Sequence, residues 1–347
     1  MPSPTKGFLM STSSIRSTLV GSYPVPDWLI ASPSEQGLID ATCVVFKLQE
    51  MAGIDVVVDG ELYRWNVNHP DTNGMIDYFV RPMAGVRSEM ARTDLAEFAR
   101  LAGMDFRSKP AGVVEGPIDE GLLQIPSDFS RARSCTAHPM KFTLTGPHML
   151  SKTLIDRHYR DRAELALAIG QALAKQVAEI DPEVIQIDEA NITGHPDEAD
   201  WAAEAINVVL DAAVRAREKG VHLCFGNYGG QSIQRGHWEQ LLALMNRLHC
   251  DHVILEFAFR GYDELALFRD GLDPRIGLGI GVIDVKVNTV ESPDIVAQRI
   301  ESAARLAGAE RIRWVHPDCG FWMNKRSVAD RKIANLARGL KLFLGES

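Results

Sequence analysis

The sequence predicts a single (β/α)8 barrel with an insertion between its second and third strands. Three observations carry this. Eight short β-rich runs recur along the chain, and amphipathic stretches of helical length alternate with them. The runs are also apolar throughout rather than at every second residue, as expected for parallel strands covered on both faces.

In chain order the runs are STLVGS (17–22), IDVVVDGE (54–61), KFTLTGP (141–147), VIQIDEA (184–190), VHLCFGN (221–227), HVILEFA (252–258), IGLGIGVID (276–284) and IRWVHPD (312–318). The helical stretches between them have recognisable ends. RAELALAIGQALAKQVAEI (162–180) repeats apolar residues every three or four positions. DWAAEAINVVLDAAVRAREKG (200–220) does the same, with Gly220 as the expected residue just past its end. In SPDIVAQRIESAARLAG (292–308), Ser292 is the expected N-cap and Pro293 the first helical residue.

A barrel of this kind takes about 250 residues, and the 347 present leave a surplus. It lies at 62–140, between the second and third runs, and includes the charged helical stretch VRSEMARTDLAEFARLAG (86–103). One barrel domain over 1–347 is therefore expected, with 62–140 as an inserted subdomain or lid on the active-site face. A doubly wound open sheet is the competing architecture, but no GxGxxG follows the first run.

Composition narrows the function. A formal charge of −9 with no basic block argues against nucleic acid and anionic membrane as partners. No run reaches the roughly 18 apolar residues of a membrane span, and the N-terminal stretch lacks a secretory core, so a cytoplasmic enzyme of small-molecule chemistry is expected. Five widely spaced cysteines do not make a disulfide framework. Cys43, Cys135 and Cys250 lie away from the strand ends and are expected in the core or on the surface.

Barrel active sites are built where strands end, and here the ends are polar. Glu61 closes the second run, Asp188 and Glu189 the fourth, Glu256 the sixth and Asp284 the seventh; Cys319 follows the eighth. His222 and Cys224, two apart in the fifth, point the same way. With Cys319 they supply three soft or borderline ligands, and Glu256 is the natural displaceable fourth. Such a set suits Zn2+ rather than Mg2+ or Ca2+. Gly226, Gly229 and Gly230 would leave room above the metal.

Taken in order, STLVGSYP, DGELYRWN, TGPHML, IQIDEA, HLCFGNYGG, ILEFAFRG, LGIGVIDVK and WVHPDCGF resemble the catalytic barrel of the cobalamin-independent methionine synthase family, in a single-barrel short form. The similarity runs from about residue 17 to about 340. It implies a (β/α)8 barrel holding Zn2+ through His222, Cys224, Glu256 and Cys319, with Ser22, Glu61 and Asp188 binding the amino acid thiol. It also implies a thiol S-methyltransferase, making methionine from homocysteine.

Three departures bear on the methyl donor. The family's two-barrel members have an N-terminal half without counterpart here; no Trp follows TGP; and Lys286 stands where the family has a proton-donating His. Asp188, Glu61 and Lys286 are the candidate catalytic residues, and a donor other than a polyglutamate folate is expected, with a partner protein among the sources of the methyl group. The alternative is transfer to another thiol, as in epoxyalkane:coenzyme M transferases, which would need cations such as Arg64, Lys152 or Arg260 for a sulfonate. A non-catalytic barrel with structural zinc is the third reading.

Overall fold

The computed structural model describes residues 15–65, 74–100, 107, 109–227 and 231–346. Along the chain run β1 (Arg16–Ser17), α1 (Asp27–Ala31), α2 (Glu35–Ala52) and β2 (Val57–Val58), followed by α3 (Asp77–Val80), β3 (Ala84–Arg87), α4 (Arg92–Phe98), β4 (Gly112–Asp119) and α5 (Ile125–Arg133). Next come β5 (Met140–Thr145), α6 (Pro147–Lys152), β6 (Leu154–Asp156), α7 (Arg162–Val177), β7 (Val184–Glu189), α8 (Ala199–Ala212), β8 (Glu218–Leu223) and α9 (Leu242–Arg247). The chain ends with β9 (His252–Leu255), α10 (Leu267–Gly271), β10 (Gly277–Ile283), α11 (Pro293–Ala307), β11 (Ile312–Pro317) and α12 (Arg326–Leu344).

Eight strands form one parallel sheet in the order β1-β11-β10-β9-β8-β7-β5-β2. A parallel bridge from Thr18 to Val56 joins the two edges, so the sheet closes into a barrel. Beside it, β3, β4 and β6 make a three-stranded sheet over the small core of Phe98, Val113 and Ile155. That sheet draws β6 from beyond residue 140, so the 62–140 segment is tied to the barrel chain that follows it. No helix among the described residues is long and apolar enough to cross a membrane.

Local chemistry sets the helix ends. Ser34 and Asp161 cap α2 and α7 through their side-chain oxygens, and Gly53, at φ 85°, ends α2. Ser292 caps α11 as expected, accepting from Ile295 N at 3.3 Å, with Pro293 at the first position. Helices α7 and α8 pack closely because Gly170 lacks a side chain: a Cβ there would lie 2.8 Å from Ala205 O.

Two expectations need correcting. Gly220 is inside β8, not past a helix end; α8 stops at Ala212, and Glu218–Gly220 pair with Val184–Gln186 of β7. The reason is register, because the strand must start low in the barrel, where a Cβ at 220 would meet His252 Nε2 at 2.6 Å. The helix expected over 86–103 is observed only as α4, since Val86 and Arg87 pair with β4; residues 101–103 lie outside the described residues.

The loop after β10 is pinned by a buried ion pair. Lys332 Nζ donates to Asp284 O (2.8 Å), Thr289 O (2.5 Å) and Glu291 Oε2 (2.7 Å), and Glu291 Oε1 accepts from Asp284 N (2.8 Å). Both side chains are nearly inaccessible. Removing one partner of such a pair costs about 3–5 kcal/mol. Lys332→Met is therefore expected to lower unfolding stability by about 3 kcal/mol or more in urea titration, and adding Glu291→Gln should recover part of the loss.

Candidate metal centre and thiol pocket

The chain turns sharply where the barrel strands end. Past β2, Gly60 and Glu61 are both left-handed, at φ 76° and 60°. For glutamate this is uncommon strain, of the kind kept where the surroundings enforce it. Asp59 enforces it here by accepting Glu61 N at 2.8 Å. The turn aims Glu61 inward, where Oε1 accepts from Thr143 Oγ1 (2.6 Å) and Oε2 pairs with Arg64 (3.2 Å). Gly21 is required beside it, because a Cβ there would strike the Glu61 carboxylate. Gly320 does the same for Ser22, whose hydroxyl fills the space a side chain would need.

His222, near the end of β8, Cys224, one residue beyond it, and Cys319, two past β11, bring an imidazole nitrogen and two sulfurs within 4.8 Å of one another. His222 Nδ1 contacts Ile254 O at 3.0 Å. A carbonyl only accepts, so Nδ1 carries the proton and Nε2 a free lone pair. Nε2 is buried without a hydrogen-bond partner among the described residues, and burial pushes the imidazole pKa down to about 3, keeping it neutral. The Cys224 thiol is held well above its ordinary pKa by its hydrogen bond to Cys319 and by burial, with Glu256 adding to both. A cation among these atoms would reverse that shift. One borderline nitrogen and two soft sulfurs fit Zn2+.

Glu256 is not among the atoms within that mutual distance. One residue past β9 and wholly buried, it accepts from Phe225 N with Oε1 (3.2 Å) and from Lys286 Nζ with Oε2 (2.9 Å). Lys286 is thus spent on Glu256 rather than turned to the open cavity.

Above these three residues opens a cavity of about 1090 Å3, lined by Ser22, Glu61 and Asp188 together with His222, Cys224 and Cys319. Beneath it a buried chain of contacts holds Asp188: Lys141 Nζ donates to Gln186 Oε1 (2.6 Å), and Gln186 Nε2 donates to Asp188 Oδ1 (2.7 Å) and Val20 O (2.8 Å). Burial first, then the neighbouring Glu61, push the Asp188 carboxyl up to about 8.

The sequence offered Arg64 only as a cation for a sulfonate and did not single out Asn227. Arg64 is buried, pairing with Glu61 and donating to Thr143 O, and Asn227 lines the cavity, its two side-chain polar atoms without a partner among the described residues. Only Gln186, two before Asp188 on one strand face, could have been found by alternation. Glu189 has a structural role, its carboxylate accepting from His148 N and Met149 N at the start of α6 (both 2.9 Å). His148, after TGP, is buried between Glu198 and the Trp201 ring, so it offers no stacking face to a ligand. Gly226 is left-handed at φ 86° and lines the cavity; Gly229 and Gly230 lie outside the described residues.

The profile of the family described as "Cobalamin-independent synthase, Catalytic domain" matches residues 31–339. The chain is 27% identical over 350 residues to a methionine synthase of Sulfurisphaera tokodaii, covering 95% of this chain and 92% of that one. It is 29% identical over 346 residues to a methionine synthase of Thermococcus kodakarensis, covering 95% and 93%. Its fold matches a B12-independent methionine synthase from Shewanella sp. W3-18-1, solved with selenomethionine, at a TM-score of 0.79 and 23% identity, covering 95% and 98%.

A raised native pKa means that the folded protein holds the Asp188 proton over a range where the unfolded chain, at about 3.9, has lost it. The resulting stability is complete below about pH 4 and is lost as pH rises through about 8. Asp188→Asn, which keeps a neutral group there, is expected to flatten the fall in urea midpoint across this window. An unchanged slope would show that Asp188 is already ionised in the native protein.

Proposed function

The chain belongs to the cobalamin-independent methionine synthase family, a family of methyltransferases, and we propose that it moves a methyl group onto the sulfur of homocysteine with the help of zinc. The observation that carries this is the convergence of His222 Nε2 and the two cysteine sulfurs at the floor of a cavity flanked by Ser22, Glu61 and Asp188. Those three ligands would hold the metal, with Glu256 as the reserve carboxylate of the set. Zinc bound there would draw the proton from an incoming thiol, which is otherwise mostly protonated and weakly nucleophilic at neutral pH.

The chain's own residues do the rest. Glu61 and Asp188 receive the amino acid's ammonium; its charge lowers the Asp188 pKa, so that Asp188 gives up its proton and binds as a carboxylate. Arg64 keeps Glu61 extended towards the ligand while neutralising part of its charge. The sulfur then takes the methyl as the donor–carbon bond breaks and the sulfur–carbon bond forms.

At about 1090 Å3 the cavity has room for a donor beside the amino acid. Its lining carries Trp28, Trp65, Met75 and Trp322 together with the cations Lys325 and Arg326. The missing Trp after TGP and Lys286 in place of a His favour a non-polyglutamate donor, small or carried by a partner protein, read in part by the 62–140 segment acting as a lid on a single cytoplasmic barrel domain. The coenzyme M alternative gains no support from its three cations: Arg64 pairs with Glu61, Lys152 with Glu198, and Arg260 lies over the Phe225 ring.

Zinc-loaded protein is expected to bind one equivalent of homocysteine in calorimetry, with net proton release, and to form methionine when supplied in turn with sulfonium, folate and protein-borne methyl donors. Glu61→Gln and Asp188→Asn should each weaken homocysteine binding by about 1.5–3 kcal/mol, the value of a hydrogen bond to a charged group. Zinc-replete protein that binds no homocysteine would overturn the assignment.

A further inference from the structure

Gln186 and Asp188 lie two apart on β7, on the same face, and both are buried. The Gln186 amide meets three groups. Its nitrogen donates to Asp188 Oδ1 (2.7 Å) and to Val20 O (2.8 Å), and its oxygen accepts from Lys141 Nζ (2.6 Å). Chemistry fixes which end is which, because the Val20 carbonyl only accepts and so must meet the nitrogen.

Lys141 sits opposite Val184 on β5, two residues below Gln186, and is 1% exposed. It supplies the donor that the amide oxygen needs, since a buried oxygen left unpaired is costly. Turning the amide over would set its oxygen against the Val20 carbonyl and its nitrogen against the lysine. Val20 stands two residues before Ser22, so this one side chain joins two sides of the cavity that lie 166 residues apart in sequence.

The bond to Oδ1 does not consume Asp188. It fixes the plane of the carboxyl group and directs it at the cavity that Asp188 lines. It also strengthens when Asp188 becomes a carboxylate, because a charged acceptor makes a hydrogen bond roughly twice as strong as a neutral one. Gln186 therefore favours the state in which Asp188 meets an ammonium.

We propose that Gln186, braced by Lys141, is a positioning residue for the amino acid's ammonium, acting through Asp188 and not on the metal or the methyl donor. The inference deepens the homocysteine reading above and rests on it.

Calorimetry on the zinc-loaded protein with two thiols tests it. One is homocysteine; the other is γ-mercaptobutyrate, the same chain with its thiol and carboxylate but no amino group. Wild type should bind homocysteine the more tightly, by about tenfold or more. Gln186→Met should weaken homocysteine binding by about tenfold and leave γ-mercaptobutyrate within about twofold. Lys141→Met should act in the same direction, and added to Gln186→Met it should cost homocysteine no more, because its effect passes through the amide. A merely structural role would weaken both thiols alike.

Equal losses for the two thiols in Gln186→Met, or an unchanged homocysteine affinity, would overturn the proposal. If Gln186→Met does not fold, Lys141→Met is read against the same outcomes. If neither folds, a crystal structure of the wild type with homocysteine decides: the Gln186 amide bonded to Asp188 and the ammonium on Asp188 support the proposal, and either one turned away overturns it. Wild type that binds the two thiols equally would instead overturn the ammonium reading of Asp188, and wild type that binds neither would overturn the homocysteine reading itself; this inference falls with either.

Discussion

The site depends on a closure made with very little backbone. β1 and β2 are two residues each, and the first and last edges of the sheet meet through the single bridge from Thr18 to Val56. Side chains complete the seam, with Asp55 Oδ2 accepting from both Ser17 N and Ser17 Oγ at 2.7 Å and Thr18 Oγ1 donating to Val56 O at 2.8 Å. Without this seam the sheet would be open, and Ser22 and Glu61, which follow its two strands, would have no fixed relation to Cys319. Closure is what turns residues 22, 61 and 319 into neighbours around one cavity.

Once the barrel closes, its interior must accommodate charge. Asp188, Glu256, Lys286 and Arg64 are buried near the mouth and Lys141 lower in the barrel, and each is matched by a partner: Lys141 through Gln186 to Asp188, Lys286 to Glu256, Arg64 to Glu61. Buried pairs add little stability over apolar residues of the same size, and they are costly to break. Their use here is orientation. Each carboxylate is held in one direction, and the glycines at 21 and 320 leave the space those directions need.

Much of this was legible in the residues. The parallel strands followed from continuous apolar runs, and helix ends followed from Ser292 and Pro293, because caps act within one turn. Gly220 was misplaced because a glycine after a helical pattern looks the same whether it ends the helix or clears space for a ring on the next strand. The helix expected over 86–103 was too long because its first residues are committed to a sheet whose partner strand begins at residue 112. Such pairing leaves no trace in local periodicity.

For the site, the order His222, Cys224 and Cys319 was determined by sequence alone, since soft donors at strand ends carry their chemistry in their identity and a barrel brings strand ends together. The tertiary structure decided which charges are spent on one another. Glu256 and Lys286 stand 30 residues apart on different strands' loops, and both suit roles on ligand or metal when seen singly. Only the packed interior shows them facing each other out of water, where an unpaired charge is not tolerated.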